Sequence, residues 1–181
     1  MKTTRTVALL AAAFILLFSS GAKAQEKFGP MYFGVSGGVY APEGTELDAD
    51  DAKTGFVGLV NFGYMFNPFF GLQSDFGYFQ TSGDHDMKVA AIPVAFSLKL
   101  AVPIAFVEPY VLGGGGVYFC QTEYAGFDDN TTEFAAHAAG GVNFNFGRFQ
   151  LGAEARYVWL EAANNINADG MMVMGKIGSR F

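Results

Sequence analysis

Residues 108–120 read EPYVLGGGGVYFC, four consecutive glycines set between valines and tyrosines. Two kinds of structure use such a run. A phosphate cradle closes backbone N–H groups around an anion, but it requires Gly-Lys-Ser/Thr at a fixed spacing and a helix behind it. Val117, Tyr118 and Phe119 follow these glycines instead. The other use is a β-strand whose side chains alternate between two environments, with glycine where a side chain does not fit. On that alternation Val107, Val111, Val117 and Phe119 share one face, Glu108, Tyr110, Leu112 and Tyr118 the other, and the glycines fall on both. Inward glycine is expected to make room for long side chains from strands opposite, and outward glycine to permit bending.

The nature of the two environments comes from composition. The chain is 51% hydrophobic and 16% aromatic, yet beyond residue 24 no uninterrupted apolar run approaches the about 20 residues that a transmembrane helix needs. In lipid every backbone polar group must be paired internally. The alternative to helices is therefore a closed β-barrel, visible as alternating segments of about ten residues separated by turns.

Reading for period two yields eight such segments. In residues 31–41 Phe33, Val35 and Val39 face outward, and Tyr32, Ser36 and Tyr40 inward. Residues 54–66 set Phe56, Val60, Phe62 and Tyr64 outward against inward Asn61, and residues 70–80 set Leu72, Phe76 and Tyr78 against Gln73 and Asp75. The cleanest alternation is 88–100, with Ile92, Val94, Phe96, Leu98 and Leu100 against Ala95, Ser97 and Lys99. The glycine-rich segment is the fifth. Residues 133–146 put Phe134, Val142, Phe144 and Phe146 outward, with Glu133, His137, Asn143 and Asn145 inward. In 150–160 Leu151, Tyr157 and Trp159 oppose Gln150, Glu154 and Arg156, and in 170–181 Met171, Val173, Ile177 and Phe181 oppose Lys176 and Arg180. Pro93 and Pro109 lie inside these segments, and because proline cannot donate to a ladder they are expected to mark bulges or strand starts.

The connections alternate in character. NPF, VPIAF and GRF are short, whereas PEGTELDADDAK, TSGDHDM, TEYAGFDDNTT and EAANNINAD are mostly longer and polar. Transmembrane barrels have short periplasmic turns and longer external loops. The predicted fold is thus all-β, an eight-stranded antiparallel up-and-down transmembrane barrel.

The compartment is read at the front of the chain. Lys2 and Arg5 precede VALLAAAFILLF, and Ala22-Lys23-Ala24 supplies a small-residue cleavage pattern before Gln25. Residues 1–24 are expected to be a cleaved signal peptide and residues 25–181 the barrel domain. No cysteine stands at the cleavage site, which speaks against a lipoprotein.

GYMFNPFFGLQSDFGYF, EPYVLGGGGVYF and the final MGKIGSRF together resemble the OmpA-like family of small outer-membrane β-barrels of Gram-negative bacteria, over nearly the whole chain after residue 24. The resemblance implies an outer-membrane location, lipid and lipopolysaccharide as surroundings, and reading of the terminal aromatic Phe181 by the barrel-assembly machinery. The sequence departs from the larger two-domain members by stopping at Phe181, so their peptidoglycan-anchoring role is not carried over.

Three groups of residues are candidates for function. The inward charges are Asp75, Glu108, Glu133 and Glu154 against Lys99, Arg156, Lys176 and Arg180. Buried charges are tolerated chiefly when paired, so these are expected to form an internal salt-bridge network, the alternative being the gate of a small-conductance channel. The second group is the histidines, because some small barrels resemble lipid A-modifying enzymes and such chemistry needs a nucleophile beside an oriented base. His137 is followed by alanines and His85 sits in GDHD, neither with a local triad. No catalytic residues, cofactor or nucleic-acid partner are expected. Cys120 is the only cysteine, which excludes an intramolecular disulfide, and the sequon at Asn130 has no meaning in this compartment.

The third group is acidic. Twelve acids fall in the longer connections: Glu43, Glu46, Asp48, Asp50, Asp51, Asp84, Asp86, Glu123, Asp128, Asp129, Glu161 and Asp169. A solvated rim accounts for them most simply. Asp48, Asp50, Asp51, Asp128 and Asp129 are weak metal candidates, expected to share divalent cations with lipopolysaccharide phosphates because hard cations prefer oxygen ligands. The sequence reads as a non-catalytic surface-interaction barrel whose protein ligand, if it has one, it does not name.

Overall fold

In the computed structural model, residues 30–42, 53–82, 88–124, 127–162, 166–167 and 169–181 are described. They form β1 (Met31–Pro42), β2 (Lys53–Met65), β3 (Phe70–Ser82), β4 (Lys88–Ala101), β5 (Val107–Tyr124), β6 (Phe127–Phe146), β7 (Phe149–Ala162), the two-residue β8 (Ile166–Asn167) and β9 (Gly170–Arg180). Each wall strand pairs antiparallel with its neighbour in sequence, β7 pairs with β9, and β9 pairs with β1. This closes an eight-stranded barrel and leaves β8 as a short extension on the end of β7. Met31 and Phe181 exchange backbone hydrogen bonds of 3.1 and 2.9 Å at the seam. Among the described residues no helix is long and apolar enough to cross a membrane; the crossing is made by strands.

Alternation is consistent around the wall. Phe33, Phe62, Phe76, Phe96, Val111, Phe134, Leu151 and Val173 are exposed on the outside, where the solvent is lipid. Asn61, Gln73, Asp75, Lys99, Glu108, His137, Glu154 and Arg156 are buried inside. This reverses the arrangement of a water-soluble protein and matches the demand of a hydrocarbon surround.

The three short turns explain which end is which. Between β2 and β3, the Asn67 side-chain oxygen accepts from the backbone N–H groups of Phe69 and Phe70 at 2.9 and 2.8 Å, the local bonding that makes asparagine a turn residue. Ile104 and Val107 exchange hydrogen bonds across Ala105 and Phe106, with Ala105 at a φ of 55°. Gly147 and Arg148 join β6 to β7, Gly147 at 64°, as tight hairpins require. All three lie at the end that carries Pro30 and Phe181, the periplasmic end in a barrel of this class.

Three expectations need correction. Pro109 stands near the start of β5, as expected, but Pro93 lies inside β4 without a bulge: the β3–β4 ladder skips from Phe76↔Val94 to Phe79↔Ala91 in unchanged register. The missing N–H costs a local gap and no shift, and among the described residues the one register shift is in β2 between Lys53 and Phe56. The connection TEYAGFDDNTT is mostly strand, because β5 runs to Tyr124 and β6 begins at Phe127. The inward glycines of the opening stretch do not make room for side chains from across the lumen. A Cβ on Gly114 or Gly116 would run into the carbonyl oxygens of Phe96 and Val94 on the adjacent strand, whereas at outward Gly113 it would meet only the His137 oxygen at 3.9 Å. Other glycines do take side chains: Gly63, Gly141 and Gly170 lie against the rings of Tyr32, Tyr110 and Tyr40.

Candidate functional site

The interior is stacked in layers. Nearest the outer end, Tyr40, Phe79, Tyr118, Leu160, Met172 and Met174 belong to one apolar cluster, with Tyr40 and Phe79 rings 4.9 Å apart. At the periplasmic end Tyr32, Met65, Ala101, Tyr110 and Leu112 belong to a second. Asp75, Lys99, Glu154, Arg156 and Lys176 lie between them, whereas Glu108 precedes Tyr110 on β5 and Arg180 pairs in the ladder with Tyr32, at the level of the second cluster.

Seven of the eight inward charges are joined in ion pairs. Arg156 reaches Asp75 at 2.8 Å and Glu154 at 2.8 Å, and Glu154 also binds Lys176 at 2.7 Å. Glu108 is held by Lys99 at 3.1 Å and Arg180 at 2.6 Å. The remaining lone pairs are used: Asn61 and Gln73 donate to Asp75 at 2.6 and 2.8 Å, Asn143 donates to Glu108 at 3.2 Å, and Tyr110 donates to Glu154 at 2.7 Å. Lys99 stands over the faces of Tyr32 and Tyr110, 4.6 and 4.3 Å from the ring centres, a favourable place for a desolvated ammonium. Each charge thus has an opposite charge beside it, as low dielectric demands, although Arg180 Nε and Nη2 and Asn143 Oδ1 are buried without a hydrogen-bond partner among the described residues. The eighth charge, Glu133, is half-buried and pairs in the ladder with Tyr118 of the outer apolar cluster.

The hydrogen-bonding tyrosines and amides were not among the sequence candidates. Tyr32 and Tyr110 carry a polar tip on an inward face, and that was their one available signal.

Ser97 and His137, 40 residues apart, come together on β4 and β6 with Oγ and Nε2 at 2.6 Å. A serine therefore does stand beside His137, supplied by another strand and invisible to local sequence. Both side chains are buried, and His137 Nδ1 has no hydrogen-bond partner among the described residues, so the orienting acid of a triad is missing. No cluster of metal-binding side chains occurs among the described residues.

At the outer end Asp48, Asp50, Asp51 and His85 lie outside the described residues. Asp128 and Asp129 lie in β6, paired in the ladder with Glu123 and Thr122, so they are strand positions rather than loop carboxylates. Asp169 accepts from the Leu160 backbone N–H at 2.9 Å; one rim acid is a structural cap.

The fold is shared with solved barrels. Neisserial surface protein A superposes with a TM-score of 0.71 at 16% identity, over 84% of this chain and 98% of that one. The outer membrane protein OprG from Pseudomonas aeruginosa gives 0.57 at 15%, over 85% and 97%. Ail, the attachment invasion locus protein of Yersinia pestis, in complex with the heparin analogue sucrose octasulfate, gives 0.54 at 18%, over 83% and 96%. No curated protein matches in sequence. The family described as outer membrane protein beta-barrel domain matches residues 10–175, and with the closed wall, lipid-facing exterior and ion-paired interior in place, the chain belongs to that family of outer-membrane barrels.

Proposed function

We propose that the protein is a non-catalytic surface-interaction barrel, its interior serving as a brace and its acidic outer end as the part that meets other molecules. The observation that carries this reading is the filled lumen. Two apolar clusters and seven charged side chains held in ion pairs occupy the interior, which supports neither a continuous wet path nor a substrate site. Against the channel reading, eight strands enclose little more than their own side chains. Against lipid A chemistry, Ser97 and His137 are enclosed and lack an orienting acid.

On this reading the acids of the outer connections share divalent cations with lipopolysaccharide phosphates, residues 1–24 export the chain, and Phe181 is read by the assembly machinery. The cation bridge is tested by thermal unfolding in vesicles with and without lipopolysaccharide and calcium. The unfolding temperature is expected to rise only with both, because a ligand that binds the native state alone stabilises it. A barrel carrying D48N, D50N, D51N, D128N and D129N loses that rise. Equal shifts in both proteins end the cation-bridge reading. Stepwise current in a planar bilayer would restore the channel, and a change in lipid A mass the enzyme.

A further inference from the structure

The three short turns at the periplasmic end are apolar. They comprise residues 66–69, 102–106 and 147–148, and their only polar side chains are Asn67 and Arg148. Turns that stand in water draw on glycine, asparagine, aspartate and serine. Here Phe66, Ile104 and Phe106 are each more than half exposed, as is Phe146 beside them. Rings at the ends of wall strands are expected of a transmembrane barrel; apolar side chains on the turns themselves are not. These rings run on into the wall, Phe66 stacking on Phe70 at 5.7 Å and Phe106 on Phe146 at 6.2 Å. The polar groups of the turns are bonded within the chain. The Asn67 side-chain oxygen accepts from the Phe69 and Phe70 N–H groups. Ile104 and Val107 bond to each other, and the Phe106 and Arg148 carbonyls accept from the backbone N–H groups of Asn145 and Arg180. Such pairing is what a backbone needs in order to leave water.

Arg148 is the one charged residue in these turns, with no acid among them. Its side chain is exposed and forms no ion pair with a described residue. We propose that the three turns lie in the headgroup layer of the membrane rather than in periplasmic water, with Arg148 binding the phosphate of a phospholipid. Two observations select this occupant. The apolar rim is continuous with the wall that already faces lipid, so no new kind of surface begins at the turns. The single cation among them complements a phosphate, a group that the planar fork of arginine suits. Its long stem lets the charge reach past the rings, as cationic side chains do at membrane borders. A protein seated on the same rim would have to displace the lipid that covers the wall immediately beside it. The proposal goes beyond the surface-interaction reading and concerns the opposite end of the barrel.

The test uses the protein in phospholipid vesicles in phosphate-free buffer, so that lipid is the one source of phosphorus. Trp159 is the only tryptophan of the chain, so Trp159→Phe combined with Ile104→Trp puts a single indole on a turn. Its fluorescence is expected to be quenched by a nitroxide carried at the headgroup or carbonyl level of the lipid. Aqueous acrylamide is expected to quench it at least about threefold less than in the urea-unfolded chain. The other arginines among the described residues, Arg156 and Arg180, are enclosed in the interior. In protein labelled at arginine Cζ, a carbon within about 5 Å of lipid phosphorus by solid-state NMR therefore reports Arg148. That contact is expected in the wild-type protein and is expected to vanish in Arg148→Gln, with heat-dependent gel mobility confirming that the variants are folded. An indole that acrylamide reaches freely and lipid nitroxides do not overturns the proposal and leaves the rim to a periplasmic protein. A wild-type protein with no arginine carbon near phosphorus overturns the phosphate site, and a contact that survives Arg148→Gln overturns its assignment to this residue.

Discussion

Arg156 is the residue on which the interior turns, since it joins Asp75 of β3 to Glu154 of its own strand. Removing one member of a buried ion group leaves the others uncompensated, whereas replacing the group with apolar residues is often close to neutral. Arg156→Met is therefore expected to cost about 3–5 kcal/mol in denaturant unfolding. Adding Asp75→Asn and Glu154→Gln should recover part of that loss, the coupling that marks a shared network; additive losses would contradict it. The sequence made the sign and facing of these residues legible, because alternation alone assigns an inward position. It did not make the pairing legible. Which acid meets which base depends on the strands that oppose one another across the lumen, as Asp75 and Arg156 do from 81 positions apart. Ser97 and His137 escaped for the same reason.

The strands themselves were legible because lipid enforces alternation on every one of them; their ends were not, because alternation continues past the membrane. β5 and β6 show this, running on to Tyr124 and from Phe127 where acidic composition read as loop. The opening glycines belong to this scale too. Gly114→Ala and Gly116→Ala push a methyl into the backbone of β4 and are expected to lower the unfolding midpoint markedly, while Gly113→Ala is expected to leave it near the wild-type value. Equal effects at the three positions would refute the close-approach account. In the turns, Ala105 and Gly147 share a left-handed backbone. Gly147→Ala is expected to destabilise by about 1 kcal/mol, since a side chain costs roughly 1–2 kcal/mol there. Ala105→Gly should be neutral or stabilising by up to about 1 kcal/mol, the relief being offset by glycine's greater freedom when unfolded. Equilibrium unfolding of the two variants checks both signs.

At the scale of the whole molecule, composition, period and connection lengths were enough for the closed barrel, while what meets its outer end is a property of chemistry that folds do not dictate. Phe181 separates assembly from stability. It faces outward and is about half exposed, and its backbone is already bonded to Met31. Phe181→Ala is expected to leave stability in vesicles within about 1 kcal/mol, as surface changes do, yet to lower the amount of barrel assembled in cells; equal losses in both would remove the assembly role. The ion-paired layer also bears on time. Three of its links join residues 66, 72 and 81 positions apart, so these cannot form until distant strands have met, and a half-closed wall would hold charged groups over hydrocarbon. Partly built forms are thereby penalised twice, by unpaired strand edges and by stranded charge. Insertion should then proceed as one slow cooperative event, because contacts between distant residues must pay loop closure first, with no populated intermediate between the open sheet and the sealed barrel.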